Sequence, residues 1–252
     1  MAKKRVELKD SGIIFNEQDH TYLLGEKYLS GITTMIQRQF FPTEFEGIPK
    51  HIVDAAAAYG TDVHASCEDF DQSWINDGTV EVQDYIKICH DYNLTHECSE
   101  YTVTDGKEWA SRIDKVYRAS DDTFDLGDIK TYGKMTPEKL EKARWQLSIY
   151  AFMFELMNKK AKVGRLFIIH LRNKQKKDGT FDHIAEIILS TTSHQTFART
   201  CLTQTFMGNS LLIHSAYQRN ISLRKTISVS LSRRKPKSKR LLVVSSRRSW
   251  LI

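Results

Sequence analysis

The chain has 252 residues, of which 40% are hydrophobic, and this is enough to bury one sizeable core. No apolar run approaches the roughly 20 residues that a membrane-spanning helix needs, and the basic N-terminus lacks the apolar stretch of a signal peptide. The four cysteines form no CxxC pair, which argues against a disulfide framework and for reduced thiols in a cytoplasmic protein.

The net charge of +6 is unevenly distributed along the chain. Residues 187–252 carry 12 Lys and Arg and no Asp or Glu. Residues 1–186 carry 25 Lys and Arg against 31 Asp and Glu, a net charge of −6. A nucleic-acid partner inferred from the charge of the whole chain would therefore depend on the C-terminal segment alone.

The first 48 residues are predicted to form a hairpin and a short helix. Residues 13–15 and 21–24 are apolar and flank a polar turn, the pattern of a small β-hairpin. A second turn follows at residues 25–27. Ser30 then precedes a stretch of helical periodicity, which predicts a capped start of a short helix.

Two helices are predicted next, over residues 51–74 and 82–92, from apolar residues at helical spacing. Gly60 interrupts the first helix at a cost of about 1 kcal/mol relative to Ala. It indicates either the close approach of another backbone or a break into two helices. His64 and Glu68 lie four residues apart and so share one helix face.

The hydrophobic period then changes to two, and three strands are predicted over residues 97–104, 109–118 and 123–131. Turn sequences at residues 105–106 and 120–122 separate them at hairpin spacing. Sequential strands joined by tight turns predict an antiparallel meander.

The third strand ends in a charged pair. Asp128 and Lys130 alternate with Ile129, so they share one strand face with Cα atoms roughly 6.5–7 Å apart. Such a carboxylate and ammonium can hold a divalent cation and a phosphate side by side. An ordinary ion pair on an edge strand would have the same sequence. Asp114, in the preceding strand, supplies a second carboxylate.

A further helix is predicted over residues 137–158, and it carries Gln146 and Tyr150 one turn apart. Two strands follow, over residues 163–171 and 181–189. The order of hairpin, helices, three strands, helix and two strands predicts an α/β fold. In it a mixed β-sheet is flanked by helices, and one helix crosses over between strands.

These residues can support metal-assisted hydrolysis of a phosphodiester. A hard divalent cation takes oxygen ligands, and carboxylates on neighbouring strands are a usual source. A histidine can add a nitrogen ligand where Mn²⁺ or Mg²⁺ is used. A nearby lysine can stabilise negative charge on phosphate or orient a water. His64, Asp114, Asp128 and Lys130 are the candidates for these roles.

In order and spacing, these pieces resemble the PD-(D/E)XK nuclease superfamily, and within it the RecB-like exonuclease branch of phages and bacteria. The resemblance covers residues 10–190. The matching pieces are Gly60-Thr61-Asp62-Val63-His64 with Glu68, Ser99-Glu100-Tyr101, Asp114, Asp128-Ile129-Lys130-Thr131 and Gln146-Leu147-Ser148-Ile149-Tyr150.

The resemblance implies a restriction-endonuclease-like fold for residues 1–190 and the activity of a Mg²⁺- or Mn²⁺-dependent deoxyribonuclease, an exonuclease in particular. The implied roles are metal binding by His64, Asp114 and Asp128, catalysis by Lys130 with Asp128, Asp114 and Glu100, substrate binding by Gln146 and Tyr150, and support by Glu68. DNA is the implied partner, in a bacterial or phage-infected cell. A recombinase or a single-strand-binding protein, in recombination or repair, is a further candidate, and no membrane partner is expected.

Two features depart from the family. Ser111 stands three residues before Asp114, where the family often has Gly. Some relatives hold an iron–sulfur cluster with three cysteines near the C-terminus, where this chain has only Cys201, so we expect no cluster.

Two other functions remain open. One is a catalytically inactive PD-(D/E)XK fold that serves as a DNA-binding or assembly module. Inactive members usually lose an Asp or the Lys, and this chain keeps them. The other is an unrelated α+β protein with a chance arrangement of these residues.

The basic segment 191–252, with its Pro-containing run at residues 233–240, differs from the rest of the chain. We expect it to be disordered. Three interpretations are open: a flexible arm that contacts phosphates, a solvated tail, and a translation in a shifted reading frame. The last would account for the loss of every acidic residue.

Overall fold

The computed structural model describes residues 5–190, and the basic segment predicted over residues 191–252 lies outside them. Within the described residues, the chain forms eight β-strands and four α-helices. In chain order these are β1 (Ile13–Asn16), β2 (Thr21–Leu24), β3 (Lys27–Gly31), α1 (Ile32–Phe40), α2 (Lys50–Ser73), α3 (Val80–Asp91), β4 (His96–Thr104), β5 (Trp109–Arg118), β6 (Thr123–Lys130), α4 (Pro137–Met157), β7 (Lys162–Gln175) and β8 (Phe181–Ser190).

All eight strands belong to one sheet with the order β1-β2-β3-β5-β6-β7-β8, and β4 pairs with β5 outside this path. The pairs β3–β5 and β6–β7 are parallel, and the others are antiparallel. Helix α4 makes the crossover between the parallel strands β6 and β7, as such a connection requires. The predicted mixed sheet flanked by helices, with an N-terminal hairpin, is confirmed.

The helices cover both faces of the sheet. Helices α2 and α3 pack on the face that presents Tyr117, Ile129 and Phe167, all of them buried. Helix α4 packs on the other face, where its Phe154 contacts Phe124. Burial of each such side chain contributes about 1.5–3 kcal/mol to the free energy of unfolding.

Most predicted elements are confirmed. The meander is present, β5 has the predicted bounds, and β4 and β6 each differ from the prediction by one residue. Strand β7 runs further than predicted, to Gln175, because its basic end continues to pair with β8 as far as Phe181. An ion pair between Arg172 and Asp182 supports that extension.

Two predictions near the N-terminus are corrected. Residues Lys27–Gly31 form strand β3, which pairs with β2 and β5, and the pattern did not predict it. Ser30 does not cap α1: the N-cap is Gly31, which makes no side-chain capping hydrogen bond.

Gly60 does not break its helix, since α2 is continuous from Lys50 to Ser73. A Cβ atom at Gly60 would lie 3.3 Å from the Thr131 Oγ1 atom. The close neighbour is thus a side chain at the end of β6 rather than another backbone. The glycine allows α2 to approach the end of the strand that carries Asp128 and Lys130.

The described residues include three cysteines, all of which are free thiols: Cys67, Cys89 and Cys98. No helix among residues 5–190 is both long and apolar enough to cross a membrane.

A buried ion pair fastens α2 to the sheet. The side chains of Lys115 on β5 and Asp71 on α2 are 2% and 5% exposed, with Nζ 2.6 Å from Oδ2. Lys115 also donates a hydrogen bond to Ser99 Oγ at 2.9 Å, and Tyr85 OH donates one to Asp71 Oδ2 at 2.9 Å. Asp71 lies two helical turns after His64, so the ion pair holds the helix face that carries this histidine.

We expect Lys115→Met to lower the free energy of unfolding by about 3–5 kcal/mol, because it leaves a buried carboxylate without its cation. Urea unfolding followed by circular dichroism measures the change. A matched control is Lys87→Met, because Lys87 also pairs with an aspartate but is 75% exposed. That variant should be nearly as stable as the wild type. Equal stability of the two variants would contradict the role given to the pair.

Candidate active site

One edge of strand β5 pairs with two different strands and leaves a gap between them. The strand pairs with β4 along residues 110–117. On its opposite edge, residues 115–118 pair with β6, and residues 109–110 pair with β3. Within the described part of the chain, residues 111–114 have no strand partner on that edge. The sheet is therefore open beside Asp114.

The Asp114 carboxylate occupies this opening. Its Oδ2 atom accepts a hydrogen bond of 2.7 Å from the backbone N–H of Ile129, where a strand carbonyl would otherwise lie. The backbone of β6 thus fixes the position of the carboxylate. The Asp114 side chain is nearly buried, so this hydrogen bond satisfies an oxygen that has little access to water.

His64 reaches the same point from α2. Its Nε2 atom lies 3.1 Å from the carbonyl oxygen of Ile129, and its Nδ1 atom lies 3.6 Å from Asp114 Oδ2. The carbonyl can only accept, so Nε2 carries the proton and Nδ1 keeps a lone pair that faces the carboxylate. Burial lowers the pKa of His64, although Asp114 acts in the opposite direction. The imidazole is therefore neutral at neutral pH, as a metal ligand must be.

Glu100 approaches from β4 in a strained backbone conformation. Its φ of 51° lies in the left-handed region, which costs a residue other than glycine about 1–3 kcal/mol. Ser99, before it, contacts Asp71 of α2, and Tyr101, after it, packs on Phe154 of α4. Ser99 and Tyr101 stand two residues apart on the strand, and yet their side chains face opposite sides of the sheet, because the backbone turns at Glu100. Burial, and then the charge of Asp114, raise the pKa of Glu100.

His64, Glu100 and Asp114 each offer one ligand atom, and these atoms lie within 4.8 Å of one another. Ligands of an octahedral Mg²⁺ ion lie 2.0–2.1 Å from the metal, so neighbouring ligands are about 2.9 Å apart and opposite ligands about 4.2 Å apart. The separation of 3.6 Å between His64 Nδ1 and Asp114 Oδ2 lies between these values. One neutral imidazole and two carboxylates also suit Mg²⁺ or Mn²⁺ by their chemistry. The residues present therefore fit a divalent cation.

Asp128 lies beside this group and is engaged with Lys130. The Asp128 side chain is 0% exposed. Its Oδ1 atom accepts a hydrogen bond of 3.0 Å from Lys130 Nζ, and its Oδ2 atom lies 2.8 Å from the same nitrogen. Burial raises the pKa of Asp128, and Lys130 opposes this effect. Burial lowers the pKa of Lys130, but Asp128 more than offsets it, so Lys130 stays charged.

Helix α4 holds Lys130 from the other side. Lys130 Nζ donates to Gln146 Oε1 at 3.4 Å, and Gln146 Nε2 donates to the Tyr150 hydroxyl at 2.6 Å. Ser111 Oγ donates to the same hydroxyl at 3.2 Å. Ser111 thus joins β5 to this hydrogen-bond chain. Gln146 and Tyr150 lie where they can position the lysine.

The structure places two of the three predicted metal ligands, His64 and Asp114, close to Glu100, for which a catalytic role was predicted. The metal role of Asp128 stays a prediction. Glu68 lies one turn after His64 and accepts a hydrogen bond from Gln72 at 2.8 Å. Besides burial and Asp114, the charge of Glu68 raises the pKa of Glu100. Glu68 therefore lies near His64, Glu100 and Asp114 but is not one of the three candidate metal ligands.

Sequence reasoning assigned no role to two residues near the site. Arg112 Nε lies 2.8 Å from Glu100 Oε2. Tyr132 is half-buried, and burial raises its pKa although the charge of Lys130 opposes this effect. Strand alternation offered a signal for Arg112, which stands two residues before Asp114 on the same strand face, and none for Tyr132, which follows the end of β6.

The chain matches no protein-family model, and no curated protein matches it. Solved structures give distant likenesses. A protein from Eubacterium rectale described as a "Putative exonuclease" is 11% identical, with 75% of this chain and 82% of that chain covered and a TM-score of 0.43. An alkaline exonuclease from Laribacter hongkongensis is 8% identical, with 77% and 93% covered and a TM-score of 0.34. Likenesses this distant assign no function to this chain. Its function is therefore inferred from the geometry of the site.

Proposed function

We propose that the chain is a metal-dependent deoxyribonuclease, an exonuclease of the RecB-like branch of the PD-(D/E)XK superfamily. One observation carries the proposal: His64, Glu100 and Asp114 converge on one point beside a charged, positioned Lys130. Hydrolysis of a phosphodiester is accelerated by a bound metal ion and by a fixed positive charge beside it, and these residues can provide both.

The three ligand residues would hold Mg²⁺ or Mn²⁺. Such an ion, when bound, polarises a phosphoryl oxygen and makes a water molecule more acidic. His64 contributes a neutral nitrogen whose direction is fixed by the Ile129 carbonyl. Asp114 contributes a charge that the β6 backbone holds in place. Glu100 contributes a second charge, which a bound cation would keep ionised although burial raises its pKa.

Lys130 would act on the substrate phosphate. Its ammonium is held by Asp128 and Gln146, so it needs little reorganisation to face a charge that grows in the transition state. DNA as substrate follows from the same proposal. A recombinase or single-strand-binding partner and a bacterial or phage-infected cell stay predictions from the resemblance, and a cytoplasmic location stays a prediction from the cysteine pattern.

An inactive module of the same fold is the second candidate. It is favoured by one observation, that Asp128 and Lys130 form an ion pair that requires no substrate. This candidate predicts that the protein binds DNA and does not cleave it.

We expect the purified protein to degrade linear double-stranded DNA in Mg²⁺ and to lose this activity in EDTA, because the proposed reaction needs the metal to polarise the phosphate and to make the attacking water more acidic. The measurement uses linear DNA labelled at either end, with covalently closed circular DNA of the same sequence as the control. Loss of the linear substrate alone indicates an exonuclease, and the labelled ends give its polarity. Absence of Mg²⁺-dependent cleavage of both substrates would contradict the proposed function.

A further inference from the structure

The N-terminal hairpin contacts the candidate site through Arg112. On one side, Arg112 Nε lies 2.8 Å from Glu100 Oε2, in the metal-ligand group. On the other side, its NH1 atom lies 3.3 Å from Glu17 Oε1, just after β1. Its guanidinium carbon lies 4.5 Å from the centre of the Phe15 ring. The hairpin therefore holds a cation at the edge of the site.

The two carboxylates that Arg112 contacts differ in solvent exposure. The side chains of Arg112 and Glu100 are each 21% exposed, whereas that of Glu17 is 80% exposed. An ion pair with so exposed a glutamate is worth about 0–1 kcal/mol. A phosphate binds a guanidinium more strongly, because it can accept two parallel charge-assisted hydrogen bonds. Glu17 can therefore be displaced by a phosphate, while Glu100 stays in place.

A nucleic acid needs a cation at this position. Residues 1–186 carry a net charge of −6, and carboxylates gather at the candidate site. Lys130, the cation that would face the scissile phosphate, lies on the α4 side, and Asp128 offsets its charge. Arg112 supplies positive charge on the hairpin side, and the Phe15 ring restricts its guanidinium plane, so less freedom is lost on binding.

We propose that Arg112 binds a backbone phosphate of the nucleic acid beside the scissile bond, and that Glu17 occupies the phosphate's place until the substrate arrives. The proposal rests on the proposed nuclease function and adds to it a substrate-binding residue and a competitor carboxylate. Arg112 thus has two roles, since it also holds Glu100 within the metal-ligand group.

The proposal predicts that Glu17→Gln tightens DNA binding about 2- to 5-fold, because the competitor loses its charge. Glu26→Gln is the matched control, since Glu26 is exposed in the turn between β2 and β3 and its loss changes the net charge equally. It should change affinity much less. Fluorescence anisotropy with labelled DNA in EDTA measures binding without cleavage.

The same titrations with Arg112→Gln and with the double variant Glu17→Gln/Arg112→Gln complete a cycle. Arg112→Gln should weaken binding and reduce the salt dependence by about one phosphate contact. The gain from Glu17→Gln should vanish in the double variant. A gain equal to that of Glu26→Gln, or one that persists without Arg112, would overturn the proposal. Cleavage by the wild type in Mg²⁺ tests the nuclease function separately, so the two can fail independently.

Discussion

Asp114→Asn should lower both metal affinity and DNA cleavage by more than about 10²-fold. Replacing a residue that only supports a metal ligand typically costs 10–100-fold, and this substitution removes the charge of a ligand itself. The side chain keeps its size, and its remaining oxygen can still accept from the Ile129 N–H group. The fold should therefore be retained, and excess metal should restore part of the activity.

Mn²⁺ titration by calorimetry, together with single-turnover cleavage, measures both effects. Asp125→Asn is the matched control, because Asp125 is also a buried strand carboxylate but contacts Arg165 at the opposite end of β6. It should lower stability through the loss of that ion pair and leave metal affinity unchanged. Wild-type metal affinity in Asp114→Asn would show that the ligand assignment is wrong.

The sequence predicted the parts of the fold whose signal is local. Strand β5 has its predicted bounds because a turn at each end and a period of two define it. Strand β3 was not predicted, although its first three residues pair with the neighbouring strand β2. Its last two residues, Ser30 and Gly31, pair with β5, almost 80 residues later in the chain, and glycine gives a short run little strand propensity of its own.

The candidate site could be predicted only in part. Alternation placed Asp128 and Lys130 on one strand face, and the structure pairs them. The group around Asp114 depends instead on the left-handed backbone of Glu100 and on the opening beside β5, and no local pattern encodes either. Lys115 in turn looks like a solvent-exposed residue by sequence but is buried, since its partner Asp71 comes from a distant helix.

Lys130→Ala should lower the rate of the chemical step by roughly 10²- to 10³-fold, the range for loss of one preorganised electrostatic stabiliser. The ammonium lies beside the metal-ligand group, and its charge acts mainly on the transition state, where negative charge on the phosphate grows. Binding to DNA should change far less, because other contacts to the backbone supply affinity. Without its cation, Asp128 should take up a proton in its buried position, which limits the loss of stability.

Single-turnover cleavage at saturating DNA, beside a binding isotherm at fixed salt, separates the two effects. Lys130→Arg keeps the charge but replaces a compact ammonium with a planar fork, so it should restore the rate only partly. Lys134→Ala is the matched control, because Lys134 is exposed and its loss changes the net charge equally. It should leave the rate unchanged. If Lys130→Ala instead loses affinity and keeps the rate, the lysine serves to bind phosphate, and the inactive DNA-binding module becomes the better description of the protein.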